Sequence, residues 1–227
     1  EARTLADYRL RHAQYRADPD LQAAHAAAPW LAGYDDHEVA DDWAGDRPAL
    51  PDPDFPARRS AALRAYRENL PLRPSPVLYR RISWGALATV HLLDTRRYRT
   101  PGDLLGPAQE RWLTDGLAAS SARWDVLAQQ VFFARLAEPT GPGNPDAWDG
   151  FPASRDRIAD ALAGVRNGVV LTGDVHSCWA ADVHRRWDAA APVVASEIVT
   201  TSISSGGDGS EVASPLLALN PHVRYFA

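Results

Sequence analysis

The stretch Val169-Val170-Leu171-Thr172-Gly173-Asp174-Val175-His176 decides the fold class. Its apolar head reads as a short buried strand, which runs straight into a glycine, a carboxylate and an imidazole. Asp174 and His176 are two residues apart, so on an extended chain their side chains fall on the same side. Such a pair can hold one metal from a single strand end, and Gly173 before it permits close backbone approach. The same residues also fit a structural role, with Asp174 capping a turn and His176 hydrogen-bonded in the core.

Outward from this segment, strands and helices alternate. Upstream stand a helix over 154–165, a Pro/Gly-rich loop over 141–149 long enough for a lid or binding loop, a strand over 125–128 ending in Gln129-Gln130, and a helix over 107–119. Earlier, strands over 78–83 and 86–93 join tightly through Trp84-Gly85, and the second ends in Asp94-Thr95-Arg96. The N-terminal portion predicts one helix over 4–28, capped by Thr4 and stopped by Pro29. A strand over 30–34 then ends in Asp35-Asp36-His37-Glu38, followed by a Pro/Asp-rich loop over 45–56 and a helix over 57–69. Downstream come strands over 181–186 and 193–200 and a loop over 204–209. This alternation predicts an α/β domain. Four strands finish in polar residues at their C-terminal ends, the edge where open α/β sheets bind ligands, so these clusters are expected to converge.

Asp35-Asp36-His37-Glu38 packs three carboxylates and an imidazole into four residues. Adjacent carboxylates repel, and the cluster is costly unless it is solvated or neutralised by a cation. Hard divalent cations take oxygen ligands, and imidazole extends the range to zinc and iron; a solvated acidic loop with a helix cap fits the segment equally. Asp94 and Arg96 share the two-residue spacing, with arginine suited either to bidentate capture of phosphate or to a structural ion pair. Cys178, near His176, fits a soft metal ligand or a small buried hydrophobe. His222, in Asn220-Pro221-His222, carries no meaning by itself.

Composition narrows the classes. A net charge of −5 over 227 residues argues against nucleic-acid-specific binding, which leaves a basic footprint. Cys178 is the single cysteine, so no internal disulfide framework exists. No apolar segment is long enough to span a bilayer. Lysine is absent, a bias of composition rather than a sign of phosphate binding. The chain opens at Glu1, has no methionine and shows no signal peptide, which leads to the expectation of further residues before it. A Gly-x-Ser-x-Gly elbow, a Walker loop and a dinucleotide Gly-x-Gly-x-x-Gly are all absent, and Asp41 stands where His-Glu-x-x-His needs its second histidine.

Seven segments, in order along nearly the whole chain, resemble successive motifs of the PhoD-like phosphatases: Thr4 to Arg9, Tyr34-Asp35-Asp36-His37-Glu38-Val39, Leu93-Asp94-Thr95-Arg96-Arg97-Tyr98-Arg99, Gly106 to Leu113, Val126 to Val131, Thr172 to His176 and Thr201 to Ser205. The resemblance implies a calcineurin-like metallophosphatase core, a layered sandwich of two sheets flanked by helices, of which residues 1–227 form part of one domain, incomplete here. It implies a metal-dependent phosphomonoesterase or phosphodiesterase, with Fe3+ and Ca2+ as cofactors and a small phosphate ester as substrate, secreted or at the cell surface. Asp35, Asp36, Asp174 and His176 become metal ligands, His37 the catalytic residue facing substrate, and Arg96 and His222 substrate-binding residues. Asp41-Asp42 replaces the paired asparagines usual in the family. The family's earlier Phe-Gly-Ser-Cys and His-x-Gly-Asp segments do not occur in these residues, and they supply the rest of the metal site. Two other classes stay open: a non-catalytic fragment that binds phosphate or a partner, and an unrelated metal-dependent hydrolase.

Overall fold

The computed structural model describes residues 1–138, 141, 143–188, 190–203, 206 and 213–227. They form two compact units, residues 1–77 and 78–227.

In the first unit Thr4 caps α1 (Leu5–Arg16) through a capping box: its hydroxyl accepts from Asp7 N, and the Asp7 carboxylate accepts from Thr4 N at 2.8 Å. The single helix expected over 4–28 is two. Asp18 caps α2 (Pro19–Ala27), its carboxylate accepting from the amides of Asp20 and Leu21. Pro19 has no N–H for a continuous helix but suits a first helical position. The strand expected over 30–34 does not form; a strand needs a partner ladder, and none is present among the described residues. Instead the segment feeds Tyr34 into an aromatic core with Trp43, Phe55 and Tyr66, where Tyr34 meets Tyr66 edge-on at 5.6 Å. Helix α3 (Phe55–Asn69) carries the rest of that core and binds α1 through Arg9 and Glu68.

The second unit is one seven-stranded mixed sheet of β1 (Arg80–Trp84), β2 (Ala88–Leu92), β3 (Trp124–Ala128), β4 (Gly168–Thr172), β5 (Trp179–His184), β6 (Val193–Val199) and β7 (Val223–Phe226), in the order β1-β2-β3-β4-β6-β5-β7. Strands β2, β3, β4 and β6 run parallel; β1, β5 and β7 are antiparallel to their neighbours. The β1–β2 turn passes through Gly85 at φ +55°, a left-handed value that favours glycine. Helices α4 (Gly106–Ala118) and α5 (Pro152–Leu162) provide the crossovers β2 to β3 and β3 to β4. Leu113, Leu117, Ile158 and Leu162 from these helices join the core with Leu127, Val170, Ala195 and Val199 from the sheet.

The α/β class therefore holds, and the sequence-predicted helices and strands of this unit lie within a few residues of their expected bounds. Of the two sheets that the family resemblance implies, one is present among the described residues. Its two faces differ. Val170 is fully buried, whereas Leu171 and Ile198 on the other face are 41% and 40% exposed, although the run over 169–171 predicted burial throughout. Helix α6 (Ala213–Leu219) and β7 complete the chain. The loop expected over 204–209 lies outside the described residues except at 206, and that over 141–149 is described except at 142.

Candidate functional site

Because β2, β3, β4 and β6 are parallel, the segments that follow them share one edge of the sheet. Much of the polar chemistry there locks strand ends together. The Gln130 side chain accepts from Thr95 N and Oγ1 and donates to Leu93 O. Gln129 donates to Thr172 Oγ1 at 2.6 Å and accepts from the Trp148 indole at 3.1 Å. Thr172 in turn donates to Glu197 at 2.6 Å, and that fully buried carboxylate also accepts from Phe133 N and Ala134 N. Burial outweighs these three donors and pushes Glu197 up to about 7. The two glutamines thus fix the edge.

Asp94 is buried, and its carboxylate accepts from Arg96 N at 3.1 Å and Arg97 N at 2.9 Å, shaping the turn after β2. That turn carries Arg96 inward. Its guanidinium has no solvent exposure and lies 2.7 Å from Asp146 and 3.8 Å from Asp174. Arg99 also pairs with Asp146. Asp146, in the loop over 141–149, was not singled out by the sequence; the arginines at 96 and 99 were the available signal that the loop must bring a carboxylate.

The chain is not extended at Asp174 and His176, so strand alternation does not set the direction of their side chains. Asp174 has φ +69° and His176 φ +54°, and Val175 N donates to Gly173 O at 2.8 Å, closing a tight turn. Non-glycine residues held in left-handed conformations concentrate at functional sites. Among the described residues there are three, Asp42, Asp174 and His176, and all lie in or beside the two candidate metal motifs. His176 Nδ1 sits 2.9 Å from Gly206 O, so the carbonyl fixes the proton there and leaves Nε2 as an acceptor.

In the first unit, the Asp-Asp-His-Glu motif is a turn anchored by its own backbone. Buried Asp36 accepts from His37 N at 2.8 Å and Asp42 N at 3.0 Å, while its carbonyl accepts from Val39 N and Ala40 N. Glu38 accepts from Asp35 N at 2.8 Å, and burial pushes its carboxyl up. The Trp43 indole donates to Asp35 O, tying the turn to the aromatic core. One ligand atom from each of Asp36, His37 and Asp41 lies within 4.8 Å of the others, and His37 and Asp41 are exposed. Carboxylate oxygens joined by one imidazole fit hard cations, with access to iron or zinc.

His222 is not at the edge of Arg96 and Asp174. Strand β5 is antiparallel to β6, so Trp179 pairs with Val199 at the near edge and His184 with Val193 at the far one. His222, whose carbonyl accepts from Asp182 N, belongs with His184, about 17 Å along the strand from Trp179 at ~3.3 Å per residue. Cys178 is half-buried, its backbone paired with Ala227.

The α/β unit carries carboxylates held by a buried arginine at one edge of its sheet, and the first unit carries an acidic turn with the ligand types of a metal site. The sequence profile of the PhoD-like phosphatases matches residues 1–227. The chain is 41% identical over 259 aligned positions to alkaline phosphatase D of Bacillus subtilis (strain 168), covering 98% of this chain and 44% of that protein. A solved structure described as "Structure of PhoD" superposes with a TM-score of 0.92 at 40% identity, over 100% of this chain and 50% of that one. This chain belongs to the PhoD-like phosphatase family, and it spans about half the length of these relatives.

Proposed function

We propose that this chain is part of a metal-dependent phosphoesterase that hydrolyses small phosphate esters. Family membership along the whole chain carries the reading, and the coincidence of left-handed Asp42, Asp174 and His176 with the acidic motifs supports it. The ligands are Asp35, Asp36, Asp174 and His176, and the metals, following the family resemblance, are Fe3+ and Ca2+. When bound, such cations supply Lewis acidity at phosphoryl oxygens and make a coordinated water acidic enough to attack phosphorus. In this reading exposed His37 is the catalytic residue that gives a proton to the departing alkoxide. Arg96, expected from sequence to touch phosphate, is better read as a positioning residue: its buried fork holds Asp174 and is itself held by Asp146.

Residues 1–227 belong to one phosphatase domain in this reading, and the exposed face carrying Leu171 and Ile198 is where the second sheet of the sandwich packs. A parallel sheet ordinarily has both faces covered. Export follows the family; among the described residues no helix is long and apolar enough to cross a membrane. Elemental analysis with parallel assays on a phosphomonoester, a phosphodiester and an anilide tests the assignment. Metal-dependent turnover of a phosphoester and none of the anilide is expected, and anilide turnover alone would overturn it.

A further inference from the structure

At the edge of the sheet opposite Arg96 and Asp174, a cavity of about 160 Å³ lies between β5, the segment before β7 and the residues after Phe133. Its lining is rich in donors. Arg155 is 1% exposed, and its Nε has no hydrogen-bond partner among the described residues; nor does the buried indole N–H of Trp187. Two orphaned buried donors on one cavity are costly unless an acceptor serves them. Arg135 lines the same space and, among the described residues, has no carboxylate partner; it donates to Trp187 O and stacks on that ring.

The cavity's acidic residues are already engaged. Asp182 is neutralised by Arg224 at 2.6 Å, and Asp188 accepts from Ala190 N. Arg186, also in the lining, is paired with Asp160. Arg155 is itself paired with Asp156 at 3.4 Å, so the cavity offers an anion the Arg135 guanidinium and the orphaned N–H groups of Arg155 and Trp187 rather than a large surplus of charge.

Two histidines complete the site, with ring centroids 6.1 Å apart. His184 Nδ1 donates to Ala191 O and His222 Nε2 to Arg135 O, both at 2.6 Å. Each ring therefore has its proton fixed on one nitrogen and its other nitrogen left as an acceptor, and burial holds His222 below its ordinary value.

We propose that this cavity is a binding site for a free tetrahedral oxyanion of phosphate or sulfate type, held by Arg135, Arg155 and Trp187 and bordered by His184 and His222. The volume is about five times a water's share of the liquid, room for a free oxyanion rather than a large ester. The site is separate from the proposed metal centre and does not rest on it.

The test is calorimetric titration of the metal-free protein with sodium sulfate, whose charge is constant across the pH range, against sodium chloride at matched ionic strength. NMR of the two histidine rings gives a second readout, and sodium phosphate forms a parallel arm. Sulfate should bind at millimolar concentration both near pH 5.5 and near pH 7.5, and unlike chloride it should shift the ring signals of His184 and His222. Arg135→Ala, an exposed position that leaves the fold intact, should weaken binding about tenfold or more, whereas Asp174→Asn should not change it. Absence of sulfate binding at millimolar concentration, equal ring shifts with chloride, or an affinity untouched by Arg135→Ala would each overturn the proposal. Binding of phosphate without sulfate would overturn the shared-oxyanion assignment.

Discussion

At the edge where β2, β3, β4 and β6 end, polar side chains satisfy one another: Gln130 holds Thr95, Gln129 reaches Thr172, Thr172 reaches Glu197, and Arg96 bridges Asp146 and Asp174. At the opposite edge, where β5 ends, Arg155 Nε and the Trp187 indole are left without hydrogen-bond partners among the described residues. The first arrangement rigidifies side chains in advance, which a site that places charges within fractions of an ångström requires. The second can be completed only from outside. Mutations at the first edge should therefore be expensive in stability, and those at the second should report mainly on ligand.

The largest effect is expected for Arg96→Met. Removing one member of a buried ion-pair cluster strands the others, and a loss of about 3–5 kcal/mol is expected in urea denaturation. A loss below about 1 kcal/mol would mean that Asp146 and Asp174 do not depend on Arg96. Glu197→Ala comes next at about 3 kcal/mol, because the amides of Phe133 and Ala134 and the Thr172 hydroxyl lose their acceptor. Near-wild-type stability would show that water replaces the carboxylate.

Glu197 also sets a pH dependence. Its folded-state value of about 7 lies above the usual 4.5, so between those values the fold holds a proton that the unfolded chain does not. Stability should fall as pH rises through that window, by at most about 1.4 kcal/mol per unit, and level off above it. Glu197→Gln should flatten the slope; an unchanged slope would place its origin elsewhere.

The smallest effect belongs to the far edge. Arg224→Ala removes an exposed pair with Asp182 and should cost less than about 0.5 kcal/mol, measured by thermal melting. A larger loss would make that edge as rigid as the first.

The contrast between the edges also explains what the sequence disclosed. Elements whose apolar pattern sits between clear breakers, such as β3, β4, α4 and α5, were legible because local pattern and tertiary burial agree. The break between α1 and α2 was readable in principle from Asp18-Pro19, a cap followed by a first-position proline. The apolar segment over 30–34 was not, since strand formation depends on a distant partner. At the candidate site, Asp174 and Arg96 followed from their places after strands. Asp146 did not, because a Pro/Gly-rich loop does not announce which of its residues turns inward. The spacing argument for Asp174 and His176 assumed extended backbone where both residues are left-handed. The place of His222 was not legible, because antiparallel register, a non-local property, decides which end of the sheet it joins.

Asp36 and Asp174 are proposed as metal ligands of a phosphoesterase, and one measurement tests this most directly. Full-length protein, wild type and with Asp36→Asn or Asp174→Asn, would be analysed for bound metal and for hydrolysis of a phosphomonoester, with circular dichroism to confirm folding. Wild type should carry metal and turn over, and each variant should fold while losing about 100-fold or more of its activity together with part or all of its metal. Folded variants that keep both full metal content and full turnover would contradict the assignment.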